Sequence, residues 1–165
     1  MKIEDSGERR EFGTGAVRDR ATGKGRFDLM PIHTILIYMI KHNFQGMGVV
    51  SGISDFADDG DVDRLYDTME QVVTLAFNDD FNYAMLELAK HFEEGCDKYG
   101  DRNWQKGIPI NCYIDSALRH YFKYMAGMVD EPHDRVCLWN IVCAIWTCEN
   151  YPTMLAEYLI EKDKL

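Results

Sequence analysis

Positive charge is scarce in this chain. Lysine and arginine number 18 against 28 aspartates and glutamates, a formal net charge of −10 over 165 residues. That balance excludes broad attraction to a nucleic-acid polymer, which needs a basic surface. A small anion held by a local basic cluster is still permitted, above all with a divalent metal between. Long apolar runs are also missing. The longest, "TILIYMI", falls far short of the roughly 20 residues that a spanning helix needs, so no membrane partner is expected. The opening "MKIEDSGERREF" has no apolar leader core, which points to the cytoplasm. The five cysteines form no CxxC pair. Cys137, Cys143 and Cys148 fall in one apolar run and read as small core residues. Such a scatter suits a reducing compartment better than a disulfide framework, and the ligand spacing of a zinc site is absent.

Several phosphate and metal motifs are absent as well. "RATGKGR" lacks the first glycine of a P-loop and the Ser/Thr after Lys24. "DFADDGDVDRLY" fails as a calcium loop, because Ala57 stands at a ligand position and Tyr66 where a bidentate glutamate is needed. No GxSxG occurs, no strand pattern of any length and no internal repeat. What remains is helical periodicity, so a single all-α domain over 1–165 is expected, a bundle of five to six helices behind an irregular N-terminal arm.

The arm, 1–31, is polar and glycine-rich, with Phe27, Leu29 and Met30 able to anchor it. A first helix is predicted over about 32–43. The glycine- and aspartate-rich stretch after it reads as a solvated loop feeding an N-cap, and "DVDRLYDTMEQVVTLAFN" as a second helix. The third, "FNYAMLELAKHFEEGCDKYG", is opened by Asp79 or Asp80 and stopped by Gly100, with Phe81, Met85, Leu88 and Phe92 on its core face. Glu87, His91, Glu94 and Lys98 form one polar stripe beside that face. In the fourth, "NCYIDSALRHYFKYMAG", Asp115, Arg119 and Lys123 line up, with Ser116 and His120 beside them. The fifth starts at "DEPHD", with Asp130 as cap and Pro132 in the first turn, and is apolar nearly all round. It carries His133 and Asn140 on one stripe. A last helix begins at Pro152.

Three stripes on three helices either converge on a pocket or remain solvated edges with i,i+4 ion pairs. In a pocket, facing carboxylates would hold Mg²⁺ or Mn²⁺. Lys98, Arg102, Lys106, Arg119 and Lys123 would balance a polyphosphate. Trp104 and Asn103 would suit a nucleobase, by stacking and amide hydrogen bonds. The bland alternative makes Trp104 a loop anchor and the bases solvated.

Four blocks carry a resemblance: "GTGAVRD…GKGRFDLMP", "AKHFEEGCDKYGDRNWQKGIP", "YIDSALRHYFKYMAG" and "HDRVCLWNIVCAIW". They look like the phage-borne dATP/dGTP diphosphohydrolases, relatives of the MazG-like nucleoside triphosphate pyrophosphohydrolases, over residues 13–31 and 84–147. The resemblance implies a MazG-like bundle with a helical insertion at about 33–80 and core helices over 81–165. It implies Mg²⁺-dependent cleavage of a purine (deoxy)nucleoside triphosphate to a monophosphate and pyrophosphate, in a homodimer or larger oligomer, in the host cytoplasm if phage-encoded. The metal ligands would come from Glu94, Glu87, Asp115 and Asp134, although the MazG pattern ExxE…ExxD is not intact. His91 or a spare carboxylate would take a proton from water. Lys98, Arg119 and Lys123 would stabilise phosphate charge, while Lys24, Arg26 and Asp28 fold over the site, and His120 and Asn140 would complete the nucleotide pocket. Two other readings compete. His133-Asp134 with His91 or His120 sketches the metal site of HD phosphohydrolases, although no later aspartate but Asp163 is available. A protein that binds nucleotide or a partner without turnover is the other.

Overall fold

A computed structural model describes residues 9–20 and 24–162. Residues 1–8, 21–23 and Asp163 lie outside the described residues, as does the side chain of Asp28. Seven α-helices are present among them: α1 (Ile32–Lys41), α2 (Met47–Asp59), α3 (Asp63–Phe77), α4 (Phe81–Tyr99), α5 (Ile110–Met125), α6 (His133–Asn150) and α7 (Pro152–Lys162). None of the described helices is long and apolar enough to cross a membrane. The all-α expectation holds, with one exception in the arm.

That exception is a small hairpin. β1 (Arg9–Glu11) pairs antiparallel with β2 (Val17–Asp19), Arg10 opposite Arg18. Gly15 turns the chain at φ +80°, a conformation open to glycine. Three-residue strands are too short to leave a period-2 signal, which is why the sequence shows none. The arm is docked. Ala16 is fully buried, and Thr14 Oγ1 donates to the Gly107 carbonyl at 2.8 Å.

The second correction is α2, which occupies the expected solvated loop. Val49, Val50, Ile53 and Phe56 are buried. Glycines here permit close packing: a Cβ at Gly52 would lie 2.1 Å from Thr68 Oγ1, and one at Gly48 2.4 Å from Gln71 Oε1. Gly48 and Gly52 are four apart, so they flatten one face for α3 to approach. Left-handed Gly46 and Gly60 bound the helix.

Around these, α6 runs through the centre and packs against α3, α4, α5 and α7. As its all-round apolarity predicts, Val136, Cys137, Leu138, Ile141, Cys143, Ala144 and Cys148 are buried. Asp80 caps α4 by accepting from the Tyr83 amide at 2.9 Å. Leu88 is buried and Met85 and Phe92 half-buried, but Phe81 is 53 % exposed. Periodicity assigns a face; it does not say how far the neighbouring helices reach, and here they bury Ala84 but leave Phe81 uncovered. Pro132, not Asp130, occupies the N-cap of α6. Asp130 instead bonds Lys123 and the ring of His133.

Candidate functional site

One cavity of about 590 Å³ lies between the arm, α4, α5, α6 and the turn at Asn103–Lys106. Eight arginines and lysines line it against five carboxylates. An acidic protein has thus gathered a positive surplus at one concave surface, the electrostatic requirement for a polyphosphate. The three stripes do converge in part. His91 of α4, Asp115, Ser116, Arg119, His120 and Lys123 of α5, and Asn140 of α6 all line this cavity. Lys24, Arg26 and Arg102 stand on its rim, each exposed.

The expected metal carboxylates are not brought together. Arg135, 5 % exposed, reaches Glu94 Oε1 at 2.6 Å and Glu87 Oε2 at 3.5 Å. Neither glutamate lines the cavity. Asp115 closes on Arg119 and accepts from the Phe27 amide at 2.6 Å. Asp134 accepts from the Arg135 amide at 2.8 Å and stays outside the cavity. Hard Mg²⁺ needs several oxygens free to converge. The set Glu87, Glu94, Asp115 and Asp134 does not fit it, because arginine or backbone N–H already answers each. One open pair remains: Glu94 Oε2 and His91 Nδ1 are buried without hydrogen-bond partners, 4.0 Å apart.

Other expected roles shift for equally physical reasons. Lys98 lies off the cavity and bonds Asp19 at 2.6 Å, tying α4 to the arm. Lys106 is exposed and off the cavity. The Asn103 amide is saturated by the arm: Oδ1 accepts from the Val17 amide at 2.8 Å, and Nδ2 donates to the Val17 carbonyl at 2.7 Å. It acts as an extra strand residue, not as a reader of a base. Trp104 lines the cavity but is wedged between Phe92 and Trp146, with ring centroids 5.3 and 4.9 Å away. The anchor reading therefore fits it better than a free stacking platform. Asn103→Ala is expected to cost about 1–3 kcal/mol and to expose the Arg9–Asp19 hairpin to protease. Thermal unfolding and limited trypsin digestion check this, and an unchanged digestion pattern would refute it.

Arg18 was missed by the helical periodicities because it sits on β2. Its Nη2 donates to Asn140 Oδ1, and its guanidinium lies 5.2 Å from the Tyr113 ring centroid and 5.8 Å from that of Trp139. Asn140, 1 % exposed, also donates Nδ2 to the Val136 carbonyl at 2.8 Å. The Nη1 of Arg18 is buried with no hydrogen-bond partner. A buried, orphaned guanidinium nitrogen on a cavity wall is a group that an anionic oxygen would satisfy. The only available sequence signal was "AVRD", one arginine among several in the arm.

Both cavity histidines are held neutral. Burial first, then the Arg135 and Arg18 charges, lowers His91 to about 3. Burial, then Arg119 and His133, lowers His120 to about 2. His91 is thereby a weak base, less apt to take a proton from water than expected. Its pKa falls from 6.5 unfolded to about 3 folded, so between those values the unfolded chain binds more protons. The stabilisation from neutral His91 is complete above about pH 6.5 and is lost as pH falls toward 3, at up to about 1.4 kcal/mol per pH unit. His91→Gln is expected to weaken the acid sensitivity of the urea midpoint between pH 7 and 5. Identical pH dependence in both proteins would refute it.

On α5 and α6 the side chains of His120 and His133 meet, Nδ1 to Nδ1 at 2.9 Å. Of the HD reading, this pair is present, but Glu131 and not Asp134 stands beside it.

An all-α bundle with one arginine- and lysine-lined cavity between its arm and helices defines the class: a helical protein with a cationic concave surface. The particular family is given by comparison. Residues 66–156 match the family model "dATP/dGTP diphosphohydrolase, N-terminal", more than half of the chain, and the chain belongs to that family. Its name is that of a hydrolase. The match begins at Tyr66 in α3 and ends at Ala156 in α7, and takes in α4, α5 and α6 entire. No curated protein and no solved structure matched.

Proposed function

We propose that this protein hydrolyses a purine (deoxy)nucleoside triphosphate, dGTP or dATP, to the monophosphate and pyrophosphate. Family membership supports the substrate class, and the observation that carries the chemistry is the buried, unpartnered Nη1 of Arg18 at the wall of a cationic cavity. Arg18, Arg119 and Lys123 would hold phosphate oxygens, with Lys24 and Arg26 closing from the arm. Fixed cations at the position where charge develops stabilise the transition state without reorganising. Water would add to the α-phosphorus, the α–β bridging oxygen would leave with pyrophosphate, and the water proton would pass to a carboxylate of the cavity wall. Triphosphates circulate as Mg²⁺ complexes, so the ion belongs to the substrate side of this reading.

The reading includes a homodimer or larger oligomer in the cytoplasm, with exposed Ile37, Ile40 and Phe44 at and after α1 as apolar surface for a contact. One observation favours binding without turnover instead: Arg135 neutralises Glu87 and Glu94.

The test is product analysis. The protein is incubated with each common NTP and dNTP plus Mg²⁺ or Mn²⁺, and products are separated by anion exchange. Monophosphate and pyrophosphate from dGTP or dATP are expected. Inorganic triphosphate would transfer the reading to the HD class. Tight binding with no turnover of any nucleotide would establish the non-catalytic alternative.

A further inference from the structure

We infer that His120, His133 and Glu131 form a binding site for one borderline divalent transition metal, of the Zn²⁺ or Co²⁺ type, at the wall of the cavity. This does not rest on the hydrolase reading. One ligand atom from each residue lies within 4.8 Å of the other two. The imidazole Nδ1 atoms are 2.9 Å apart, and His120 Nδ1 is 3.9 Å from Glu131 Oε2. Bonds of about 2.0–2.1 Å in a tetrahedral site put ligand atoms roughly 3.4 Å apart. The observed spacings bracket that value, so small ring rotations would suffice.

The protonation pattern is set up for it. His133 Nε2 lies 2.8 Å from Asp130 Oδ1, which puts a proton on that nitrogen and, in the neutral ring, leaves a lone pair on Nδ1. Asp130 thus plays the orienting part that a carboxylate takes behind a metal-bound histidine. The shared proton of the metal-free pair must then sit on His120 Nδ1. Binding would move it to His120 Nε2, freeing the second lone pair with no net proton release. Of the nearby cations, Lys123 is answered by Asp130 at 2.9 Å and Arg119 by Asp115, while Glu131 supplies the ligand charge. His120 and Glu131 line the cavity whereas His133 does not. Three protein ligands with an opening toward the cavity leave a coordination position for water or a ligand oxygen. Two nitrogens and one oxygen suit Zn²⁺, Co²⁺, Ni²⁺ or Mn²⁺, and suit Mg²⁺ poorly.

The full chain, stripped with chelator, is titrated with Co²⁺ and followed by visible absorption and calorimetry. One equivalent is expected to bind, with d–d bands of a nitrogen/oxygen site and no sulfur charge-transfer band, undisturbed by excess Mg²⁺. Glu131→Gln, a half-buried change, is expected to weaken binding at least tenfold. Asp130→Asn should weaken it 10- to 100-fold while the ligands stay in place. His120→Gln is expected to abolish it, provided its circular dichroism matches wild type; if it does not fold, the Glu131 and Asp130 variants decide. No stoichiometric binding, a sulfur charge-transfer band marking a cysteine, or equal affinity in Glu131→Gln and Asp130→Asn would each overturn the site.

Discussion

Arg135→Leu is expected to destabilise the protein by about 3–5 kcal/mol, the cost of removing one partner from a buried ion pair. The guanidinium is 5 % exposed and spans two carboxylates on α4, Glu94 at 2.6 Å and Glu87 at 3.5 Å. Removing it strips Glu94 of its cation and leaves Glu87 with Lys90 of its own helix alone. For a chain of this size about 2–4 °C per kcal/mol follows, so a drop in Tm of roughly 10 °C is expected. Urea unfolding at pH 7 should show a lowered midpoint with an unchanged slope. A midpoint equal to wild type would refute the clamp. The same variant interrogates the expected metal ligands. If Mg²⁺ raises its midpoint and leaves wild type alone, Glu87 and Glu94 become a cation site only when Arg135 is gone.

The second large effect is on activity. Arg18→Ala is expected to lower kcat/KM for the triphosphate by about 10²–10³, the loss typical of one positioned donor, with a fall in Tm of only a few degrees. Among the described residues Arg18 makes one side-chain hydrogen bond, to buried Asn140, so the fold loses about 1–3 kcal/mol, while its Nη1 is unpartnered and a bound anion loses more. Arg18→Lys keeps the charge but not the planar fork, and should recover only a small part. Steady-state kinetics beside nucleotide affinity separates the outcomes. Unaltered kinetics in Arg18→Ala would remove this residue from the site.

Legibility followed the kind of interaction involved. The limits of α4 and α5 could be read because Asp80, Gly100 and the 3.6-residue spacing act within a few residues of chain. The centrality of α6 could be read because a helix apolar all round has no solvent face to offer. The α2 segment was misread because its glycines, taken one at a time, signal turns; only against Thr68 and Gln71 of α3 do Gly48 and Gly52 become packing devices. The stripes on α4 and α5 were correctly located, while their partners were not. Each carboxylate on them had an i,i+4 or cross-helix suitor, and spacing along one helix does not choose between them.

Amphipathic spacing and caps settled the helical class and put His91 on one stripe of α4, Asp115, Arg119 and Lys123 on one stripe of α5 and Asn140 on one stripe of α6, because side-chain direction along a helix is a local property; that these stripes meet at one cavity was decided by the packing. The crossing of α4 over α6 decided that Glu87 and Glu94 meet Arg135, the folding of the hairpin brought Arg18 against Asn140, and the α5–α6 junction set His120 beside His133. These contacts join residues 13 to 122 positions apart. Their selection depends on burying charge and apolar area together in three dimensions, which no local periodicity encodes.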